Sequence, residues 1–348
     1  MPSILVKRSS AADNLLLFLV TAASSVLLTR LYLYLFNYPQ IGNGVFHIAH
    51  AVIGGILLTI SVLLLLAFHG RRVRQLSAFI AGWGFGLFID EIGKFITRDN
   101  NYFYQPAPVI IYLSFITVFF IYRRFERYTP KDPQELSFDI VEQLETLADN
   151  QFFHQNRTAV EQIANKLLHT KGSNYKDFGQ GVLQLLRVIP VQENPKPNRI
   201  YSRVRSSWQW FDVYTAERKP VFYALVAIFL VYIGLTFWTM SAFFYRLAVN
   251  PFSPIHFGFD SRSEWFVYVA ELISQSISAL WMCQGFYQLI HRQRVKALQL
   301  FKNALAVNIL ITHVFAFYIE QFSAAISLCV MLVLFVIVEN ILEEDESE

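Results

Sequence analysis

GWGFGLFIDEIGKFITRDNNYFY spans residues 82–104. Up to Ile89 it is only glycine and apolar side chains. Asp90, Glu91 and Lys94 then interrupt a run that a bilayer would otherwise accept. A charged group at membrane depth costs roughly 2.5–3.5 kcal/mol on insertion scales, so it persists where it is paired or at work. Long apolar runs lie on both sides of this one. Threaded through a bilayer, they bring Arg30, His47, His50, Asp90, Glu91, Lys94, Glu271 and His313 toward the same, non-cytoplasmic side. The fold expected is all-α: a polytopic membrane helix bundle of about eight transmembrane helices, with a small helical cytoplasmic domain inserted between helices four and five.

Composition agrees. Hydrophobic residues make up 54% of the chain and charged residues 16%, where a soluble globular chain carries about 25% charge. Thirty-three phenylalanines suit lipid-facing surfaces, and a net charge of +3 gives no footprint for nucleic acid. Cys283 and Cys329 both fall in apolar runs, so neither a disulfide framework nor a CxxC metal motif is present. Near the N-terminus, Lys7, Arg8 and the small residues 21–25 resemble a signal peptide. The apolar run continues to Phe36, however, which is long enough for a first transmembrane helix.

The expected spans are 14–36, 45–68, 76–97, 107–123, 221–245, 265–290, 303–320 and 322–341. The last two are read as a hairpin turning at Glu320 and Gln321, because one helix of that length would overshoot the bilayer. Arg71, Arg72, Arg74, Arg123, Arg124, Arg127, Arg292 and Arg294 fall on one side. The positive-inside rule makes that side cytoplasmic, with both termini on it. Three domains follow: residues 1–123, the first transmembrane half; 124–218, a cytoplasmic helical domain; and 219–348, the second transmembrane half with an acidic tail. In 124–218, Ile140, Val141, Leu144 and Leu147 recur at helical spacing, as do Val160, Ile163, Ala164, Leu167 and Leu168, and a third helix is read at 181–188. Ile200, Val204, Trp208 and Phe211, beside Arg199, Arg203 and Arg205, predict an interfacial amphipathic helix near 198–214. RRVRQ at 71–75 and HRQRV at 291–295 occupy matching places in a parallel 4+4 arrangement.

The ionisable residues define a candidate site. His47 and His50 share a helix face at i, i+3. Asp90 and Glu91 are the candidate catalytic carboxylates. Lys94 can reach either one but neutralises only one, leaving the other to Arg30, a histidine, a proton or a metal. Glu271 and His313 lie about two turns inside their spans. Histidine and carboxylate ligands drawn from several helices are how di-iron and zinc sites are built in helical proteins. His47, His50, Glu91, Glu271 and His313 are therefore the expected ligands of a divalent transition metal (Zn, Fe or Mn, with haem a sub-case), with Asp90, Lys94 and Arg30 supporting them. The HIAH segment (47–50) and FIDEIGKFITRDNNYFYQP (88–106) resemble an uncharacterised family of bacterial multi-pass inner-membrane proteins. The resemblance covers residues 45–113, implies a bacterial inner membrane, and brings no activity with it.

Three functions fit these residues. One is a metal-dependent membrane enzyme acting on a lipid-soluble or extracytoplasmic substrate. Another is a proton- or cation-coupled transporter or channel using the same groups. The third is a membrane sensor or scaffold, with residues 124–218 engaging a cytoplasmic protein partner.

Overall fold

The computed structural model describes residues 6–36, 49–98, 104–127, 132–148, 152–170, 172–189, 219–249 and 262–347. His47 and the expected amphipathic helix near 198–214 lie outside them. Among the described residues the chain is helical throughout, without a strand. Among those residues, seven helices are long and apolar enough to cross a membrane, which establishes a multi-pass helical bundle. They carry outward-facing apolar side chains such as Leu66, Phe237, Trp238 and Ile326, each more than 70% exposed. Such a surface suits lipid rather than water.

The chain divides into two compact units, Met1–Tyr102 with Ser114–Lys196, and Phe103–Leu113 with Pro197–Glu348. The first contains α1 (Ala11–Leu35), α2 (His50–Ala67), α3 (Arg71–Asp90) and the short α4 (Ile92–Ile96). It also holds most of α5 (Ala107–Glu126) and three helices that follow: α6 (Pro133–Ala148), α7 (His154–Leu168) and α8 (Ser173–Val188). The run expected as a single span over 76–97 differs from the others. The helix that forms there, α3, starts earlier with three arginines among its first four residues, is not among the seven described helices apolar enough to cross alone, and ends at Glu91.

What α3 lacks in apolarity it recovers in contact. It packs along both α1 and α2. Gly82 and Gly86 face α1, and a Cβ on Gly86 would sit 2.5 Å from the Ala22 carbonyl oxygen. Gly84 faces α2, where it meets Gly54. A Cβ on either would lie 2.6–2.7 Å from the other's carbonyl oxygen. Small residues let membrane helices approach closely enough for dispersion and weak polar contacts to hold them. Ser25 Oγ donates to the Trp83 carbonyl at 3.0 Å and Ser61 Oγ to the Ser77 carbonyl at 2.9 Å, fastening the same two seams. Gly70, at φ 114°, makes the reversal between α2 and α3.

Most of the periodic residues of 124–218 become the core of α6–α8, whereas Val141 faces outward and is exposed. Ile140, Val160, Ala164 and Leu167 are fully buried, closed over by Leu136, Phe152, Val182 and Leu186. The polar edge of α6 fastens this small bundle to the helix ends of the membrane part. Glu145 accepts from the Gly70 amide at 2.9 Å and pairs with Arg74 at 2.6 Å. Glu142 accepts from the amide and hydroxyl of Ser9, each at 3.0 Å.

The second unit holds α9 (Lys219–Val249), α10 (Arg262–Ile290), α11 (Arg294–Val307), a π-helical turn (Asn308–Thr312), α12 (His313–Ile319) and α13 (Ala324–Ser347). Phe301 fills its centre between Phe229 and Phe286, with ring centroids 4.9 and 5.2 Å away. Gly285 leaves the room that this ring takes. The hairpin expected near residue 320 is present, with Gln321 at φ 53° in the turn. Its antiparallel register is marked by Arg294–Asp345 at 2.9 Å, Lys302–Glu339 at 3.6 Å and His313–Ser327 at 3.3 Å.

Candidate functional site

Each unit carries a buried polar centre. In the first unit it forms where α3 breaks. In an unbroken helix, Asp90 and Glu91 would be fixed about 100° apart around the axis. With Glu91 at φ −94°, ψ 12°, α3 ends and α4 starts, so the two carboxylates serve different neighbours. Asp90 turns to α1 and is bound by Arg30 Nε at 2.6 Å. Glu91 turns to the first turn of α2, where its Oε2 accepts the Ala51 amide at 2.8 Å. Ala49, the N-cap of α2, offers no side-chain cap. Glu91 therefore supplies one from another helix, its charge set against the positive end of the α2 dipole.

Lys94 closes the arrangement by pairing with Glu91 Oε1, and His50 stands between the two acids. Its Nε2 lies 3.3 Å from Asp90 Oδ2 and its Nδ1 lies 3.4 Å from Glu91 Oε1. Asp90 is 1% and Glu91 0% exposed. Two buried carboxylates thus face two cations, with an imidazole bridging them. This is the geometry in which burying charge is tolerable, because each acid has a counter-charge and a hydrogen bond. Of the residues singled out from sequence, Arg30, His50, Asp90, Glu91 and Lys94 are brought together here.

Glu271 and His313 belong to the second unit, whose centre has a different character. The π-helical turn widens the helix at Asn308–Thr312 and frees its carbonyls for side chains, as single π-turns often do at functional sites. His313 Nδ1 lies 3.0 Å from the Asn308 carbonyl, so it carries the proton and donates. Tyr112 donates its hydroxyl to the Ile309 carbonyl and stacks on Phe317 with centroids 4.7 Å apart. Asn308 Nδ2 donates to the Tyr232 hydroxyl. The hydroxyl of Thr312, itself 3% exposed, has no hydrogen-bond partner.

His313 Nε2 faces Ser327 Oγ at 3.3 Å, and Ser327 Oγ also lies 2.9 Å from the Ala324 carbonyl. Neutral His313 accepts the serine proton. Protonated His313 donates to the serine oxygen, whose proton then swings to Ala324. Both protonation states are hydrogen-bonded without moving a heavy atom, which is what a proton relay needs.

Glu271 lies about two turns into α10 and is 8% exposed. Its carboxylate accepts from the Gln275 amide at 3.0 Å, and no Lys, Arg or His among the described residues pairs with it. The charge that acts on it is another carboxylate, Glu320, at the hairpin turn. Glu271 and His313 do not hydrogen-bond each other. Sequence reading had no means of finding Tyr112, Tyr232, Asn308 or Ser327, because their roles depend on a π-turn that no periodicity announces.

Among the described residues, no group of three or more His, Cys, Asp and Glu side chains is placed to hold a metal ion. In the first unit the reason is visible, since Arg30 and Lys94 already occupy the carboxylates that would serve as ligands. Comparison with protein-family models, with curated proteins and with solved structures finds no match.

Proposed function

We propose that the protein is a proton- or cation-coupled membrane transporter or channel, with Glu271 as the carboxylate that takes up and releases the ion. The observation that carries this reading is the isolation of Glu271. It is a buried carboxylate on a membrane helix whose side-chain partner is a neutral amide. An uncompensated charge in that setting is too costly to persist alone, so the group must be matched by a proton or a cation. His313, hydrogen-bonded in both protonation states, is the relay in the same unit. The Arg30–Asp90–His50–Glu91–Lys94 network is a neutral staple that holds α1, α2 and α3 together.

In this reading α3 crosses the bilayer as an eighth span, shielded by α1 and α2. Both termini and α6–α8 face the cytoplasm, the side to which the positive-inside rule assigns the arginines, and the membrane is the bacterial inner membrane that the resemblance of residues 45–113 implies. A metal-dependent enzyme using His50, Asp90 and Glu91 with Zn, Fe or Mn would first have to displace Arg30 and Lys94. The test is proton flux into proteoliposomes loaded with a pH-sensitive dye, measured under a pH step and under sodium and potassium gradients. Protein-dependent flux that disappears in Glu271→Gln supports the proposal. Flux unchanged by Glu271→Gln, or no flux with the folded wild type, overturns it.

A further inference from the structure

Where α6 meets the helix ends of the first unit there is a cavity of about 880 Å³, within the size range of small-molecule sites. Its walls come from the segment before α1, the end of α2, the start of α3 and one face of α6. Apolar surface is supplied by Leu65, Phe68, Phe138 and Val141, all exposed, so the cavity is greasy on one side and open. The other side is charged. Its two acids, Glu142 and Glu145, are already taken by Ser9, Arg74 and the Gly70 amide. Lys7 and Arg8 add cations to the wall, and the Arg8 side chain has no partner among the described residues. Lys7 leans over the Phe125 ring at 5.8 Å.

The level of the cavity matters as much as its lining. The apolar run of α2 ends at Ala67 and the arginines of α3 begin at Arg71, so the cavity lies where the chain leaves the hydrocarbon layer. Phospholipid headgroups occupy that level. Basic pockets between membrane helices at that level match anionic headgroups.

We propose that this cavity binds an anionic phospholipid, its phosphate held by Lys7 and Arg8 and one acyl chain laid over Phe68, Phe138 and Leu65. The lipid would bridge α2 and α6, adding a noncovalent clasp to the contacts of Glu142 and Glu145. A free phosphate would use the cations and leave the apolar wall bare. A zwitterionic lipid would use the wall and gain little from the cations.

The test is lipid binding to the purified full chain in detergent, followed by native mass spectrometry and thermal shift. The probes are phosphatidylglycerol, phosphatidylcholine with the same chains, and glycerol 3-phosphate. Phosphatidylglycerol should bind about tenfold or more tightly than phosphatidylcholine, the scale expected for two basic residues at a membrane surface. Lys7→Gln with Arg8→Gln should abolish that preference, whereas Lys7→Arg with Arg8→Lys should retain it and Arg124→Gln, a cation outside the cavity lining, should leave it intact. Phe138→Ala should weaken both lipids alike. The proposal fails if the glutamine pair keeps the preference, if the charge-conserving pair loses it, or if glycerol 3-phosphate protects as well as phosphatidylglycerol.

Discussion

Asp90 and Glu271 are both buried carboxylates on helices of a membrane protein, yet their surroundings are opposite. Asp90, with Glu91 beside it, meets Arg30, His50, Lys94 and the end of α2. Glu271 meets the amide of Gln275 and feels the like charge of Glu320. Equal burial therefore does not mean equal role. A compensated carboxylate contributes to holding helices together, and removing it strands its partners. An uncompensated one contributes little to stability and is free to exchange an ion. Substitution separates the two cases.

Asp90→Ala or Glu91→Ala should show the largest loss, about 3 kcal/mol, the low end for breaking a buried pair, because the cation left without its partner is only partly buried. Thermal unfolding in detergent reads it as a large drop in Tm. Replacing both members of the pair, Arg30→Met with Asp90→Leu, should recover most of that loss, since no charge is left stranded. If the double variant is as unstable as Asp90→Ala, the network is more than a staple.

Gly84→Ala comes next. Its methyl would collide with the Gly54 carbonyl oxygen, and overpacking of this kind costs about 1–3 kcal/mol. Gly55→Ala, whose Cβ meets open space, is the matched control and should be neutral. Equal behaviour of the two would remove the α2–α3 seam as the reason α3 tolerates its polarity.

Glu271→Gln should change stability by less than about 1 kcal/mol, because the amide keeps a hydrogen bond and no partner is stranded. A drop as large as that of Asp90→Ala would mean that Glu271 has a structural counter-charge, and the contrast would collapse.

The smallest effect concerns Asp139 on α6, outside the membrane. Burial pushes its carboxyl above the ordinary range; a hydrogen bond from Ser9 opposes this, and the charge of Glu142 adds to it. One of its oxygens has no hydrogen-bond partner. With a folded pKa above the unfolded one, the stability this group contributes is full below the unfolded value of about 3.9 and is lost as pH rises through the folded value. Asp139→Asn should therefore be slightly more stable than the wild type at neutral pH, with the difference shrinking as the medium is acidified toward pH 4. A constant difference across that range would contradict the assignment.

The helices were legible because apolar runs and arginine positions report on the bilayer directly. The hairpin at Gln321 and the cores of α6–α8 could also be read from length and spacing. Within FIDEIGK, the partners of Asp90 and Glu91 could be narrowed to Lys94 for one and Arg30, a histidine, a proton or a metal for the other, but not assigned. The assignment depends on the helix break at Glu91, which no residue in the segment signals. The capping of α2 by Glu91 was invisible for the same reason, since the donor is a backbone amide on another helix. The π-turn was hidden more deeply. NILIT looks like any apolar helical stretch, and only its position against Tyr112 and Tyr232 reveals the opened carbonyls. His47 lies outside the described residues, so its expected partnership with His50 stays a sequence expectation.

The difference between the two carboxylate centres can be read directly by infrared difference spectroscopy of the purified protein across a pH titration. Proton or cation uptake at a carboxyl group changes its carbonyl stretch, and conservative substitutions identify the group. The titrating carboxyl band should vanish in Glu271→Gln and persist in Asp90→Asn and Glu91→Gln. A band that survives Glu271→Gln and disappears with Asp90→Asn or Glu91→Gln would place the exchangeable ion in the compensated network and contradict the division of roles.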